Sequence, residues 1–260
     1  MSMNIVNLTN EFNCLSTQVK EILIRDMTTN KNILGIDFKE VDEPTYLIPR
    51  ALKSKQEKEE RTSKKAEVFT PLNIIYKMVD VIDNDMSKIQ TDFDNYIDTT
   101  ILEITCGEAP FITTRYDPIT GSMIGLYNRV GCLDRKLQLL NKHNFSEEHW
   151  CDIAIRIAKS IYGYEYQADS LLIARLNVLY SFIEFYNDVF HKALPERMIY
   201  QLSYIIVWNL FQMDGLTYCI PQHDVVQDRK TKNRIAINGI PTKIMNWKEC
   251  KVELFSDGIK

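Results

Sequence analysis

The segment "ILEITCGEAPFI" (residues 101–112) begins like a buried strand and then breaks off. Ile101, Leu102 and Ile104 are typical of a strand, but Glu103 interrupts them and Gly107 follows shortly afterwards. A carboxylate at the end of a strand can accept hydrogen bonds from a ligand, and a nearby glycine lets the backbone come close to it. The segment therefore predicts a strand that ends at a small-molecule site.

Two further carboxylates occupy similar positions in the sequence. Glu165 ends an aromatic strand predicted at residues 162–166, and Asp214 follows an apolar stretch predicted to form a strand near Ile205–Gln212. Helical patterns separate the predicted strands, which indicates an α/β fold with a parallel sheet. Ligands bind at the carboxyl ends of such strands. Each acid alone is more often a cap or a loop residue, but the three together favour one ligand site.

Composition and charge place limits on the class of protein. The chain has 260 residues, of which 45% are hydrophobic and 25% charged, as expected for a globular protein. Its net charge of −4 means that any contact with DNA must come from a local patch or from a partner. The six cysteines form no CxxC pair, and no signal segment or bilayer-spanning run is evident. We therefore expect a cytoplasmic protein with free thiols and no metal.

The segment before the first strand divides into two parts. Residues 52–66 carry dense mixed charge, which predicts a solvated helix or linker; the alternative is that Lys64 and Lys65 face a phosphate backbone. Thr70 and Pro71 then have the residue types of an N-cap and a first helical position, so a helix is predicted to begin there. At the other end of the chain, a strand pair is predicted to complete the sheet.

Four motifs together resemble a known family. They are "AEVFTP" (66–71), "LEITCGEAPFI" (102–112), "YGYEY" (162–166) and "NLFQMDGL" (209–216). In this order they resemble the cofactor-binding motifs of the DNA adenine-N6 methyltransferases of restriction–modification systems. The likeness is greatest to the short proteins often labelled restriction endonuclease subunit M.

The resemblance implies a Rossmann-like, S-adenosylmethionine-dependent methyltransferase fold with an inserted segment. Residues 1–60 would be an N-terminal extension, and residues 61–260 would be a methyltransferase-like domain with an insertion at about 115–160. The implied cofactor is S-adenosylmethionine. The implied partner is DNA, with a specificity or nuclease subunit as a further possible partner and no membrane.

The resemblance also implies a set of cofactor-binding residues. In this chain they are Phe69, Thr70, Glu103, Cys106, Gly107, Glu165, Tyr166 and Asp214. Phe69 and Thr70 would flank the methionine end of the cofactor, and Glu103 would lie near its ammonium group. Glu165 would accept from the ribose hydroxyls, and Asp214 from the adenine amine.

The chain departs from the family pattern in three places. Ala109 replaces the second glycine of the turn, which predicts a less close approach of the backbone to the cofactor. The interval from Gly107 to Glu165 greatly exceeds the roughly 20 residues that are usual. The chain has eight prolines and no two are adjacent, so it has no Asn-Pro-Pro-Tyr type acceptor loop and no catalytic residue is assigned. Two hypotheses follow: an adenine-N6 DNA methyltransferase or modification subunit, or a non-catalytic cofactor-binding subunit or regulator.

Overall fold

A small parallel sheet packed against helices organises the chain. The structure, a computed structural model, describes residues 5–37, 41, 47–65, 67–89, 92–228 and 234–258. The described helices are α1 (Leu8–Asn13), α2 (Thr17–Leu23), α3 (Lys55–Lys65), α4 (Leu72–Ile89), α5 (Phe93–Asp98), α6 (Cys132–Asn141), α7 (Glu147–Ser160), α8 (Ala168–Phe190), α9 (Glu196–Asn209) and α10 (Phe255–Gly258). The described strands are β1 (Arg25–Asp26), β2 (Lys31–Asn32), β3 (Ile101–Glu103), β4 (Ile161–Glu165), β5 (Leu210–Gln212), β6 (Asp224–Gln227), β7 (Arg234–Ile237), β8 (Lys243–Asn246) and β9 (Lys251–Leu254).

Strands β3, β4 and β5 form the parallel sheet, in that order. Glu103 of β3 is the register partner of Gly163, and Glu165 of β4 is the partner of Gln212. Helices α7, α8 and α9 pack against β4. The other strand pairs, β1–β2, β6–β7 and β8–β9, are antiparallel. The fold is therefore mixed α/β, and the predicted parallel sheet is confirmed in its three strands.

One hydrophobic core joins the sheet to the N-terminal helices. Helix α8 is buried over most of its circumference, as its apolar sequence predicts for a helix between layers. Phe12 of α1 and Leu23 of α2 belong to the same buried cluster as Leu172 and Phe182 of α8. The division of the chain near residue 60 stays a prediction, but residues on both sides of it share this core.

Three element predictions need correction. The strand predicted near Ile205–Gln212 is only Leu210–Gln212, because α9 continues to Asn209. Short apolar runs suit a buried helix and a strand equally well, so the pattern alone could not place this boundary. The predicted terminal strand pair exists as β8–β9, but it forms a separate two-stranded sheet. Helix α4 begins one residue late, at Leu72, and the carbonyl of Pro71 closes its first turn.

Gly131, just before α6, packs directly against the backbone of Ile112 and Thr113. We therefore expect a substitution at this position to have a strong effect. A methyl group there would lie 2.3 Å from Ile112 O and 2.6 Å from Thr113 Cα. Since backbone atoms cannot rotate away, we expect Gly131→Ala to lower the free energy of unfolding by about 3 kcal/mol. Urea unfolding measures this. Gly125→Ala is the matched control, since its methyl group would meet only Asn128 Nδ2 at 3.7 Å. Equal losses in the two variants would contradict the close packing.

Candidate ligand site at the carboxyl edge of the sheet

The three predicted acids all follow the carboxyl ends of neighbouring parallel strands. Glu103 and Glu165 are the last residues of β3 and β4, and Asp214 is the second residue after β5. The N–H of Met213 donates to the carbonyl of Glu165 at 3.0 Å, so Asp214 lies directly beside this link. The backbone therefore delivers all three acids to one edge of the sheet.

The loop after β3 folds back onto the end of β4. Thr105, Gly107 and Ala109 have φ angles of 48°, 55° and 63°, in the left-handed region. The N–H of Cys106 donates to Tyr164 O at 2.8 Å. Ala109 thus takes a backbone conformation that glycine adopts more easily, at a cost of about 1–2 kcal/mol. The loop therefore places alanine, rather than glycine, at a left-handed position.

Glu165 is held between two backbone donors. Its Oε2 accepts from Gly107 N–H and its Oε1 from Gln167 N–H, both at 2.8 Å. Gln167 caps the N-terminus of α8, where backbone N–H groups favour an anion. Burial raises the pKa of Glu165, while the two donors oppose that rise. The chain's own carboxylate therefore occupies the anion-binding position at this helix.

Glu103 also turns back onto its own loop. Its two carboxyl oxygens accept from Phe111 N–H at 3.4 Å and from Ile112 N–H at 3.1 Å. Burial raises the pKa of Glu103 to about 8, with a smaller contribution from the charge of Glu165, while the two N–H donors oppose the rise. The two acids therefore fix the loop from both sides, and each carboxylate oxygen keeps a lone pair for a second donor.

The predicted contact residue Phe69 reaches this loop, whereas no contact of Thr70 with the acids is found in the described chain. A methyl group at Gly107 would lie 3.7 Å from Phe69 Cζ. The guanidinium of Arg50 lies 5.2 Å from the centre of the Phe69 ring. Thr70 is half-buried and stands outside the first turn of α4. The N-cap prediction for Thr70 was therefore wrong by one residue.

Asp214 and Tyr166 lie at the outer part of the edge. Asp214 Oδ1 accepts from Leu216 N–H at 2.9 Å, and its Oδ2 lies 3.7 Å from His223 Nε2. Tyr166 is exposed, and its carbonyl accepts from Gln212 Nε2 at 3.0 Å. The carboxylate of Asp214 is thus engaged by its own turn and lies near His223, and no contact between it and the side chains of Glu103 or Glu165 is found in the described residues.

A segment before α4 crosses this edge, and we call residues 47–65 and 67–69 the strap. Arg61 of the strap donates to both oxygens of Asp169, at 2.6 and 3.1 Å, and to Glu67 Oε2 at 2.6 Å. Asp169 lies in the first turn of α8. The N–H of Arg50 donates to Glu108 Oε1 at 2.6 Å. The predicted solvated helix exists as α3, but Arg61 on it is buried and paired.

Glu108 is a central residue of the site that the sequence pattern did not single out. Its Oε2 accepts from the hydroxyl of Tyr116 at 2.7 Å, and its carbonyl accepts from Asn177 Nδ2 at 3.0 Å. Burial raises the pKa of Glu108 to about 7. These partners lie far along the chain or in a segment predicted as an insertion, so no local signal could identify them. A cavity of about 10 Å³ adjoins Phe69 and Glu108.

The beginning of the predicted insertion belongs to the buried core. Arg115 is fully buried and binds Glu11 at 2.8 Å and Glu184 at 2.5 Å through its Nη2 atom. Arg129 also donates to Glu184, at 2.6 Å. The region from 115 to 160 connects β3 to β4 through α6 and α7. Its role as a substrate-side or partner-side insertion stays a prediction.

The raised pKa of Glu103 predicts a dependence of stability on pH. A carboxyl group with a higher pKa in the folded state binds protons more tightly there, so deprotonation costs stability. We expect the contribution of Glu103 to the free energy of unfolding to fall by about 4 kcal/mol as pH rises from 4.5 to 8, the interval between its two pKa values. Urea unfolding across this interval measures the fall. Glu103→Gln should reduce the slope and leave the part that is due to Glu108, whose pKa is also raised; an unchanged slope would contradict the assignment.

The described residues contain neither a metal site nor a membrane-spanning helix. In the part of the chain that the structure covers, no group of three or more His, Cys, Asp or Glu side chains is arranged to hold a metal ion. Within the same residues, no helix has the length and apolar character needed to cross a membrane. Comparisons with family models, with curated proteins and with solved structures each found no match.

Proposed function

We propose that this chain binds S-adenosylmethionine at the carboxyl edge of its parallel sheet and belongs to the adenine-N6 DNA methyltransferase type. The observation that carries the proposal is the joining of Gly107 to Glu165. A glycine turn after one strand donates to the acid that ends the neighbouring strand, at 2.8 Å. Dinucleotide-binding and related folds use a glycine turn and a second-strand acid in this way for the ligand's phosphate or ribose.

The strand order supports a doubly wound, Rossmann-like sheet as the finer fold. In such sheets the first three strands lie side by side in the order 3-2-1, joined by helices. Strands β5, β4 and β3 have this arrangement, and all are parallel. Helices α6 and α7 connect β3 to β4, and α8 and α9 connect β4 to β5. The described sheet thus has the strand order of one half of that fold, which supports the proposal.

The site residues can be matched to the parts of the cofactor. Glu165, with lone pairs beyond those used by Gly107 and Gln167, would accept from the ribose hydroxyls. Asp214 would accept from the adenine amine, and Glu103 would lie near the ammonium group. Phe69 would pack at the methionine end, above the turn of Cys106 and Gly107; Tyr166 would border the ribose.

Cofactor binding requires the strap to move. Ligand cavities for drug-sized molecules typically occupy about 300–1,000 Å³. The cavity beside Phe69 and Glu108 has a volume of about 10 Å³, far too small for the cofactor, and none of the three acids lines it. The strap is fastened across the edge by Arg61 to Asp169 and by Arg50 to Glu108. We infer that these contacts break as the cofactor enters. The cofactor should therefore associate more slowly than the diffusion limit.

A second candidate function is a non-catalytic subunit or regulator that binds the cofactor without transferring its methyl group. The absence of adjacent prolines in the sequence favours it, because the chain then lacks the Asn-Pro-Pro-Tyr type loop that would hold a flipped adenine. In either case we propose that DNA is engaged together with a specificity or nuclease subunit, because the net charge of −4 does not favour DNA binding by the chain alone.

Calorimetric titration of the full chain with S-adenosylmethionine tests the shared part of both candidates. We expect one saturable site, with S-adenosylhomocysteine competing for it and adenosine binding more weakly. An absence of binding at high micromolar cofactor would refute both candidates.

A methylation assay separates the two candidates. The chain is incubated with tritiated S-adenosylmethionine and unmethylated DNA, and the label is measured on adenine N6. Incorporation supports the enzyme and rejects the non-catalytic subunit. Cofactor binding without incorporation supports the subunit.

A further inference from the structure

An open cavity of about 670 Å³ lies between the parallel sheet, α7 and the β8–β9 hairpin, and none of the three edge acids lines it. Its floor includes Leu102 of β3 and Tyr162 of β4, which are register partners and so point to the same face. Phe255 also lines it, next to the hairpin. The volume falls in the range of about 300–1,000 Å³ that is typical of small-molecule sites.

Two aromatic walls of the cavity are fixed by hydrogen bonds. The hydroxyl of Tyr162 donates to Met245 O at 3.1 Å. The indole N–H of Trp247 donates to Asn209 Oδ1 at 2.7 Å. Since both rings are tied to neighbouring elements, little ordering is needed when a flat ligand binds against them.

Three basic side chains, Arg156, Lys159 and Lys248, line the cavity together with two acids, Asp98 and Glu253, so the lining has a small positive excess. Glu253 lies 3.6 Å from Lys251. Arg156, which lines it, is already paired with Asp94 and Asp98. Lys159 lies with its Nζ 5.4 Å from the centre of the Trp247 ring, and Lys248 lines the same cavity. Among the residues placed by the structure, no acid forms an ion pair with Lys159 or Lys248.

We propose that this cavity binds a small planar anion, an aromatic ring system that carries one carboxylate or phosphate group. The ring lies on Leu102, Tyr162 and Phe255, where it replaces water on an apolar surface. The anionic group binds Lys159, whose position over Trp247 keeps the ammonium group at the wall of the cavity. This site is separate from the carboxyl edge and does not depend on the function proposed above.

Calorimetric titration with matched naphthalene compounds tests the proposal. The probes are 2-naphthoate and 2-naphthyl phosphate as anions, 2-naphthylmethanol as the neutral form and 2-naphthylmethylamine as the cation. We expect saturable binding of an anion, about tenfold or more tighter than the alcohol, since a charge-assisted bond contributes about 1.5–3 kcal/mol. The anion that binds more tightly identifies the preferred anionic group as a carboxylate or a phosphate. Equal affinity for the anions and the alcohol would overturn the proposal.

Two variants locate the binding. Lys159→Gln removes the cation and should weaken anion binding by about tenfold or more, while the alcohol is unaffected. Leu102→Trp should fill the cavity and weaken both. Lys55→Gln, at a lysine that is 91% exposed, is the control and should bind like the wild type.

Cross-titrations keep this proposal distinct from the cofactor site. Lys159→Gln should bind S-adenosylmethionine normally, and Glu165→Gln should bind naphthoate normally. If Lys159→Gln retains full affinity for the anion while its unfolding curve matches the wild type, the assignment to this cavity is wrong. The binding data for Leu102→Trp are interpreted only if this variant unfolds like the wild type. Lys159→Gln tests the assignment to this cavity by itself.

Discussion

Replacing Arg175 of α8 by methionine is expected to lower the free energy of unfolding by about 4 kcal/mol. The side chain is fully buried and donates to the carbonyls of Leu23, Arg25 and Leu210 at 2.6–2.8 Å. A fourth bond reaches Val207 O at 3.3 Å. Methionine keeps much of the volume but supplies no donor, so four carbonyls, one of them only part-buried, lose the hydrogen bond from the guanidinium.

The size of this effect follows from the position of Arg175 between three elements. Its donors connect the end of α2, strand β1 and the junction of α9 with β5. Burial lowers the pKa of Arg175 to about 9, against the opposing charge of Asp26, because the buried surroundings disfavour the charged form. A loss of about 4 kcal/mol is a large share of the roughly 5–15 kcal/mol by which a typical domain is stable.

Urea unfolding of Arg175→Met at neutral pH measures the loss. The matched control is Arg156→Met, because Arg156 is 38% exposed and pairs only with surface acids. We expect the control to lose about 1 kcal/mol or less. A loss below about 1.5 kcal/mol for Arg175→Met would show that water replaces the guanidinium, and the inferred role of this residue would be wrong.

The sequence was sufficient to predict the elements that have strong local signals. The strand predicted at residues 162–166 depends on neighbouring residues alone, and it is found as Ile161–Glu165. The acids at the strand ends were placed on one edge because parallel strands impose it. The boundary between α9 and β5 was misplaced, since an apolar run that is buried on all sides has no periodicity that separates helix from strand.

The long-range polar contacts of the site could not be predicted in the same way. Arg61 binds Asp169, which is 108 residues away, and Arg175 binds Leu23, which is 152 residues away. Such pairs are set by the final packing, and a single sequence contains no local trace of them. Residues 52–66 are therefore predicted to be a solvated helix or linker, although the buried Arg61 fastens this segment to Asp169 at the start of α8.

Replacing Glu165 by glutamine is expected to weaken S-adenosylmethionine binding by about 30- to 100-fold. The carboxylate is the proposed acceptor for the ribose hydroxyls, and a charged acceptor contributes about 1.5–3 kcal/mol. The glutamine amide also presents an N–H group to one of the two backbone donors, Gly107 or Gln167, that the carboxylate now satisfies. The turn beneath the cofactor therefore loosens at the same time.

Calorimetric titration of Glu165→Gln measures the loss of affinity, with two comparisons that separate site from fold. Glu148→Gln, at an exposed residue of α7, should bind the cofactor like the wild type. Asp214→Asn should lose less, about tenfold, because an amide oxygen can still accept from the adenine amine. A change of less than about threefold in Glu165→Gln, in a protein that binds the cofactor and unfolds normally, would show that this acid serves only to hold the glycine turn.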